Sequence, residues 1–272
     1  MGDDLITSLS NESIKRIKKL KDRKNREATA TAFVEGTRQV VEAIRKNALI
    51  EKIIYTEAFL SSIADKSIGE IILGCDASQM LVSEEVFKSF SVKEGPQGVA
   101  AVVHQKWTRI SEYSGDFSGV WVCLWEIADP GNLGTILRTM DAVGATGLIL
   151  AGNCTDPYDP TSLRASMGGI FGKTLVKSKL EELVDTIKNR SIKAFGTSDS
   201  AEVYYRDILF PNDMFLVMGS ERQGIPDQIM ELCIEKVNIP MQGDCDSLNL
   251  AVATGVLLYE ILDQHSINSG KN

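Results

Sequence analysis

Three short segments in the second half of the chain combine glycine with polar side chains at spacings that could do chemistry. The first is Asp129-Pro130-Gly131-Asn132-Leu133-Gly134, running on to Arg138. The second is Met218-Gly219-Ser220-Glu221-Arg222-Gln223-Gly224-Ile225-Pro226, and the third is Ile239-Pro240-Met241 leading to Ser247-Leu248-Asn249-Leu250-Ala251. Each falls where a buried strand meets a helix. Bare backbone N–H groups and small polar side chains at three such junctions predict a ligand pocket at one edge of an α/β sheet.

Each segment also has a plainer reading. Arg138 stands four residues after Gly134, so its side chain rises one turn beyond a residue that has none and could reach back toward the helix mouth. An arginine in the first turns of a helix is equally at home as a solvated charge. Glu221 could accept bonds from loop N–H groups or simply face water. Ser247 and Asn249 are both ordinary N-cap residues, but one helix start needs only one of them. Other chemistries lack their signatures. No G-x-G-x-x-G follows a strand, there is no G-x-x-x-x-G-K-[ST], and no G-x-S-x-G appears. The two histidines, His104 and His265, and five scattered cysteines without a C-x-x-C pair predict free thiols and no metal site.

The elements that must hold these junctions are legible as a β/α alternation. Candidate strands are 120–127, 147–151, 192–196, 214–218 and 237–239, several of them near-continuous apolar runs of the kind buried on both faces of a parallel sheet. Candidate helices are 132–143, 162–170, 179–189, 226–233 and 247–265. The last is apolar almost all round and is expected to be buried. Upstream, residues 10–30 read as a helix with Ile14, Ile17 and Leu20 on one side. A second helix spans 37–47 and a third 83–90, interleaved with strand-like runs at 51–56, 70–73 and 99–103. The polar stretch 104–118 marks a boundary. The expected organisation is an α/β unit over 1–105, a linker over 106–118 and a larger parallel α/β domain over 119–272.

At 272 residues, 43% hydrophobic and 24% charged, the composition is that of a soluble globular protein. No apolar run reaches spanning length. The start, Met1-Gly2-Asp3-Asp4, is acidic where a secretory leader would be basic, so a cytoplasmic location is expected. The net charge of −8 is unevenly spread. Residues 1–50 carry eleven Lys/Arg against seven Asp/Glu, a net of +4, which leaves −12 for the remainder. Lys15, Arg16, Lys18, Lys19, Arg23, Lys24 and Arg26 crowd one short stretch. Such a strip can hold a polyanion or can be a solvated helix face.

Taken together, the three segments resemble the signature motifs of the SpoU (TrmH-type) branch of the SPOUT RNA ribose methyltransferases. These are N-x-G-x-x-x-R (Asn132, Gly134, Arg138), G-x-E-x-x-G (Gly219, Glu221, Gly224) and I-P-M…S-L-N-x-[AS] (Ile239-Pro240-Met241, Ser247-Leu248-Asn249-Leu250-Ala251). Arg164-Ala165-Ser166-Met167-Gly168 is similar to the family's R-A-S-x-G helix. The likeness covers roughly residues 119–264. Arg26, Phe33-Val34-Glu35-Gly36 and Pro96-Gln97-Gly98 look like parts of the substrate-binding domain that often precedes this one.

The resemblance implies a parallel-sheet domain with a trefoil knot toward its carboxyl end, one of the few exceptions to the rule against threaded chains. It implies S-adenosylmethionine held on the knot loops at Thr197, Gly219, Ile239, Ser247, Leu248 and Asn249, mostly through backbone groups. It also implies a homodimer through the C-terminal domain. Arg138, Asn132, Glu221 and Asn249 are the expected catalytic set. An arginine with a pKa above about 12 is a poor base, so Arg138 is read as stabilising a developing alkoxide or orienting a phosphate, with proton removal unassigned. The basic residues of the N-terminal strip, with Arg164, are expected to contact RNA phosphates. The two-domain build favours ribosomal RNA. The alternatives are a tRNA 2′-O-methyltransferase and a non-catalytic RNA-binding protein of the same fold.

Overall fold

A computed structural model describes residues 5–63, 66–92 and 95–268. Met1 to Asp4, on which the absence of a leader was read, lie outside the described residues. The chain forms two compact units: residues through Gln105 together with Asp156–Gly172, and Lys106–Thr155 together with Lys173 onward.

The elements of the first half are α1 (Glu12–Lys19), α2 (Arg23–Thr29), β1 (Thr31–Glu35), α3 (Thr37–Arg45), β2 (Ile50–Tyr55), α4 (Glu57–Ser62), α5 (Lys66–Leu73), β3 (Ser78–Leu81), α6 (Glu84–Phe90) and β4 (Val99–His104). Those of the second half are β5 (Thr108–Arg109), β6 (Val120–Trp125), α7 (Pro130–Ala142), β7 (Gly147–Ala151), α8 (Pro160–Ser166), β8 (Thr174–Ser178), α9 (Leu180–Asn189), β9 (Ala194–Thr197), β10 (Val203–Tyr204), β11 (Met214–Met218), α10 (Asp227–Met230), β12 (Cys233–Asn238) and α11 (Leu250–Asn268).

The first unit is built on a four-stranded sheet of order β1-β4-β2-β3, antiparallel except for the β2/β3 pair. Ile14, Ile17 and Leu20 are buried with Phe33, Ile54, Phe87 and Phe90, the role their helical spacing predicts. Two details differ from the sequence reading. Residues 10–30 are two helices, because the chain breaks between Lys19 and Arg23. Residues 70–73 end a helix rather than form a strand, with Gly69 and Ile72 buried three residues apart. A four-residue apolar run carries no period of its own, so it joined the helix that begins at Lys66.

The second unit holds an eight-stranded sheet of order β10-β12-β9-β11-β6-β7-β8-β5, and all seven pairings are parallel. Its strands β11 and β7 are buried along their whole length. Gly147 opens β7 where a Cβ would stand 2.3 Å from the Trp121 ring, so only glycine lets the two strands pair with that indole between them. The polar stretch 106–118 is not an open linker. β5 pairs with β8, Phe117 packs edge-on against Trp121 and Phe215, and Arg190 donates to the carbonyls of Tyr113 and Gly115. Residues 156–172 pack within the first unit, although the β/α alternation groups them with 119–272.

Candidate active site

Because the second sheet is parallel throughout, the carboxyl ends of its strands share one edge. β12, β9, β11 and β6 are consecutive neighbours there. The residues at or just beyond those ends are Ile239, Thr197, Gly219 and the Asp129–Asn132 turn that opens α7. All three junctions thus belong to one edge, where open α/β sheets bind ligands.

Asp129 caps α7, its Oδ1 accepting from the Asn132 N–H at 2.6 Å, and Pro130 fills the first helical position, where no N–H is needed. The cap fixes the Asn132 backbone, and two further bonds fix its side chain. Asn132 Nδ2 donates to Glu221 Oε1 at 2.8 Å, and Asn132 Oδ1 accepts from Asn249 Nδ2 at 2.9 Å. Asn249 Oδ1 in turn accepts from the N–H groups of Ala251 at 2.9 Å and Val252 at 3.4 Å, capping α11. An ionised carboxylate can only accept, so each amide in the chain has one permitted orientation. The three junctions are therefore tied side chain to side chain: Asn249 to Asn132 to Glu221.

The loop that carries Glu221 is a tight turn. Gly224 N–H donates to the Ser220 carbonyl at 3.0 Å, and the Gln223 N–H donates to Ser220 Oγ at 3.2 Å. Gly219 passes so close beneath this turn that a Cβ would stand 2.2 Å from the carbonyl carbon of Gly224. Arg138 lies on the exposed side of α7, one turn beyond the buried Gly134, and among the described residues it has no hydrogen-bond or ion-pair partner. Its guanidinium is available for a substrate.

The remaining expected site residues lie at or beyond the same strand ends. Thr197 ends β9 half-buried, with its hydroxyl 3.4 Å from the Val217 carbonyl. Ile239 and Leu248 are half-buried, while Ser247 is exposed and precedes the helix rather than opening it. Among the described residues, no backbone group of 239–248 bonds to the rest of the protein. Residues 240–247 are exposed, so the main-chain N–H and C=O groups of this stretch stand open to solvent or to a ligand. Two groups of absences complete the description. Among the described residues no cluster of three or more His, Cys, Asp or Glu could hold a metal ion, and no helix is long and apolar enough to cross a membrane.

The basic strip of the first unit is more occupied than the sequence suggests. Lys15 bonds Glu12 at 2.7 Å, Arg16 makes a two-pronged pair with Glu51 at 2.8 Å, and Arg23 bonds Glu27 at 2.8 Å. Lys18, Lys19 and Lys24 have no ion pair among the described residues. Arg26 requires a correction: it is 1% exposed and cannot contact RNA. Its guanidinium donates to Asp156 at 2.8 Å, to Asp159 at 3.4 Å and to the carbonyls of Leu20 and Lys21. Burial demands such full pairing of a charge. The signal available in the sequence was Asp156-x-x-Asp159, a pair of carboxylates with no assigned purpose. Arg164 is exposed at the end of α8.

Comparison with known proteins identifies the family of each part of the chain. The family model described as the SpoU rRNA Methylase family matches residues 119–259, and the MRM3-like substrate binding domain matches 11–101. The chain is 28% identical over 256 residues to the 23S rRNA (guanosine(2553)-2′-O)-methyltransferase RlmP of Bacillus subtilis, covering 94% of this chain and 98% of that one. An AdoMet-bound rRNA methyltransferase from Sinorhizobium meliloti superimposes with a TM-score of 0.83 at 30% identity, over 96% of this chain and 98% of that one. The SpoU methyltransferase AviRb from Streptomyces viridochromogenes, in complex with AdoMet, gives 0.83 at 28% identity over 94% and 98%. With its signature segments joined at one sheet edge and more than half its length matched, the chain belongs to the SpoU rRNA methylase family.

Proposed function

We propose that this protein transfers a methyl group from S-adenosylmethionine to the 2′-hydroxyl of a ribose in ribosomal RNA. The observation that carries the proposal is the Asn249–Asn132–Glu221 relay. It joins the three family segments where the strands end, a connection a scaffold without chemistry has no reason to maintain. Ribosomal RNA is favoured over tRNA because the likeness to the Bacillus and Sinorhizobium proteins runs through both units.

The cofactor supplies a methyl carbon on a positively charged sulfur. Thr197, Gly219, Ile239, Ser247, Leu248 and Asn249 hold it, chiefly through main-chain N–H and C=O groups. Arg138, carried on α7 and unpaired, places its charge where the ribose oxygen becomes negative, or grips the adjoining phosphate. Asn132, Glu221 and Asn249 keep the cofactor loops and the start of α7 in one arrangement, so that the hydroxyl and the methyl meet in line. The same reading includes the trefoil knot and a cytoplasmic site of action on rRNA.

A homodimer is part of this proposal. α11 was expected to be covered all round, yet Val252 is 52% exposed, Tyr259 54% and Ile267 62%, while Leu250, Leu257, Leu258 and Ile261 are buried. An apolar outer face on an otherwise packed helix suits a second copy of the C-terminal domain. Sedimentation of Tyr259→Arg should show a monomer where the parent chain is a dimer. The activity itself is tested by mapping 2′-O-methyl groups in RNA from cells with and without this protein. One lost position in rRNA is expected; unchanged rRNA with a lost tRNA position would replace the proposed substrate.

A further inference from the structure

We infer that the substrate-binding unit grips RNA phosphates with Arg38 and Arg164, on α3 and α8, rather than with the arginines of α1 and α2. The inference rests on the RNA methyltransferase reading above and concerns which face of one unit meets the polyanion.

A guanidinium recognises phosphate by offering two parallel N–H donors, and it can do so only if a carboxylate does not already hold them. In α1 and α2 every arginine is committed: Arg16 to Glu51, Arg23 to Glu27, and Arg26 to Asp156 beneath the surface. Arg38 and Arg164 differ. Both are exposed, and neither has an ion pair among the described residues. They ride on touching elements, because Gln39, 6% exposed, donates its side-chain amide to the Arg164 carbonyl at 3.4 Å. Packing around this contact is close: a Cβ on Gly168 would stand 2.5 Å from the Glu42 side chain, and one on Gly172 would stand 3.4 Å from Lys46 Nζ.

Arg45 and Lys46 both lie 3.8 Å from the Glu42 carboxylate, so that acid is already engaged. The other acid nearby in sequence, Glu35, is 3% exposed and accepts from the Ser91 hydroxyl and the Val92 N–H. It faces inward and offers Arg38 no partner. Nor does Arg38 serve its helix. It sits in the first turn of α3, where a cation opposes the helix dipole. An unpaired arginine that slightly disfavours its own helix is placed there for something outside the chain. Two such groups, on elements locked together, fit successive or facing phosphates of folded RNA.

The test uses the full-length protein and 23S rRNA transcribed in vitro, with binding measured across a salt series. The variants are Arg38→Ala with Arg164→Ala, and as comparison Arg16→Ala with Arg23→Ala. The first pair should lower the slope of log affinity against log salt by roughly 1.5–2, as expected when two phosphate contacts are lost. It should also raise KM for RNA while leaving kcat and S-adenosylmethionine affinity unchanged, which separates lost grip from a damaged fold or cleft. The comparison pair should change the slope by less than about 0.5. An unchanged slope for Arg38→Ala,Arg164→Ala, or a larger loss in the α1–α2 pair, overturns the inference while leaving the methyltransferase reading intact. Failure of the unsubstituted protein to bind the transcript at all would instead remove the reading on which it rests.

Discussion

Asn132 and Glu221, 89 positions apart in sequence, are joined by a 2.8 Å hydrogen bond from Nδ2 to Oε1. Because the carboxylate accepts and never donates, this one bond sets the amide of Asn132 and, through it, the amide of Asn249. Asn132→Asp places a second carboxylate against the first and removes the donor. The expected result is a fall in kcat on the order of 10²-fold, comparable to the loss of one positioned donor. Glu221→Gln keeps an acceptor and should retain most activity. Single-turnover methyl transfer measures both, and equal losses in the two variants would show that the charge of Glu221, not the orientation it imposes, is what matters.

Arg138→Ala should reduce methyl transfer on the order of 10²–10³-fold, the magnitude typical of removing a group that stabilises developing charge. Cofactor affinity measured by calorimetry should remain within about threefold, since Arg138 is absent from the strand ends assigned to the cofactor. A large loss of cofactor binding would move Arg138 into the cofactor cradle.

Gly219→Ala forces a methyl group to within 2.2 Å of the Gly224 main chain, which cannot yield as a flexible side chain would. Overpacking of this kind costs about 1–3 kcal/mol, here at the expense of the loop proposed to hold the cofactor. Gly243→Ala, in the 239–248 stretch, meets nothing within 4 Å. The first substitution should weaken S-adenosylmethionine binding at least about tenfold, and the second should leave it nearly unchanged.

Arg26→Ala removes one side of a buried pair and leaves Asp156, 7% exposed, without its cation. Breaking such a pair costs about 3–5 kcal/mol, which denaturant titration of the full chain will register. Replacing both partners, with Arg26→Met and Asp156→Leu, should recover much of the loss. Equal destabilisation in the single and double variants would mean that the guanidinium matters for its bonds to the Leu20 and Lys21 carbonyls and not for the ion pair.

Burial pushes the Cys154 and Cys233 thiols from an ordinary value of 9.0 up to about 11. In the unfolded chain these thiols ionise above about pH 9, while in the folded chain they stay protonated. Their contribution to stability is therefore complete below pH 9 and is lost as pH rises through 11. Urea midpoints should fall over that window, and Cys154→Ser,Cys233→Ser should flatten the decline. Neutral thiols are also poor nucleophiles, so brief alkylation at pH 8 should label the exposed Cys245 before either of them.

How much of this was legible in the sequence depends on the length of the signal. The β6, β7 and β11 runs were read within a residue or two because long apolar stretches declare a buried parallel strand. Two-residue β5 and β10 carry no such signal, and β8, Thr174-Leu-Val-Lys-Ser, is too short and mixed to stand out. Strand order, which brings Ile239, Thr197 and Gly219 to neighbouring ends, is a long-range property that no local pattern encodes. The motifs nominated Asn132, Glu221 and Asn249 separately, but the relay among them is visible only in three dimensions. Charge was the weakest guide. The strip from Lys15 to Arg26 looks uniform in sequence, yet one arginine is buried and two are paired to carboxylates, one of them, Glu51, supplied from another element.

The chemistry of RNA offers the most direct test of the central claim. A free 2′-hydroxyl cleaves the adjoining phosphodiester in alkali, and a methyl group on that oxygen prevents it. The protein should be incubated with unmethylated 23S rRNA transcript and methyl-labelled S-adenosylmethionine, and the RNA then hydrolysed completely in base. If the joined loops at Asn132, Glu221 and Asn249 serve ribose methylation, the label will appear in alkali-resistant dinucleotides. Label recovered in mononucleotides, and hence on a base, or no transfer at all, would contradict the account.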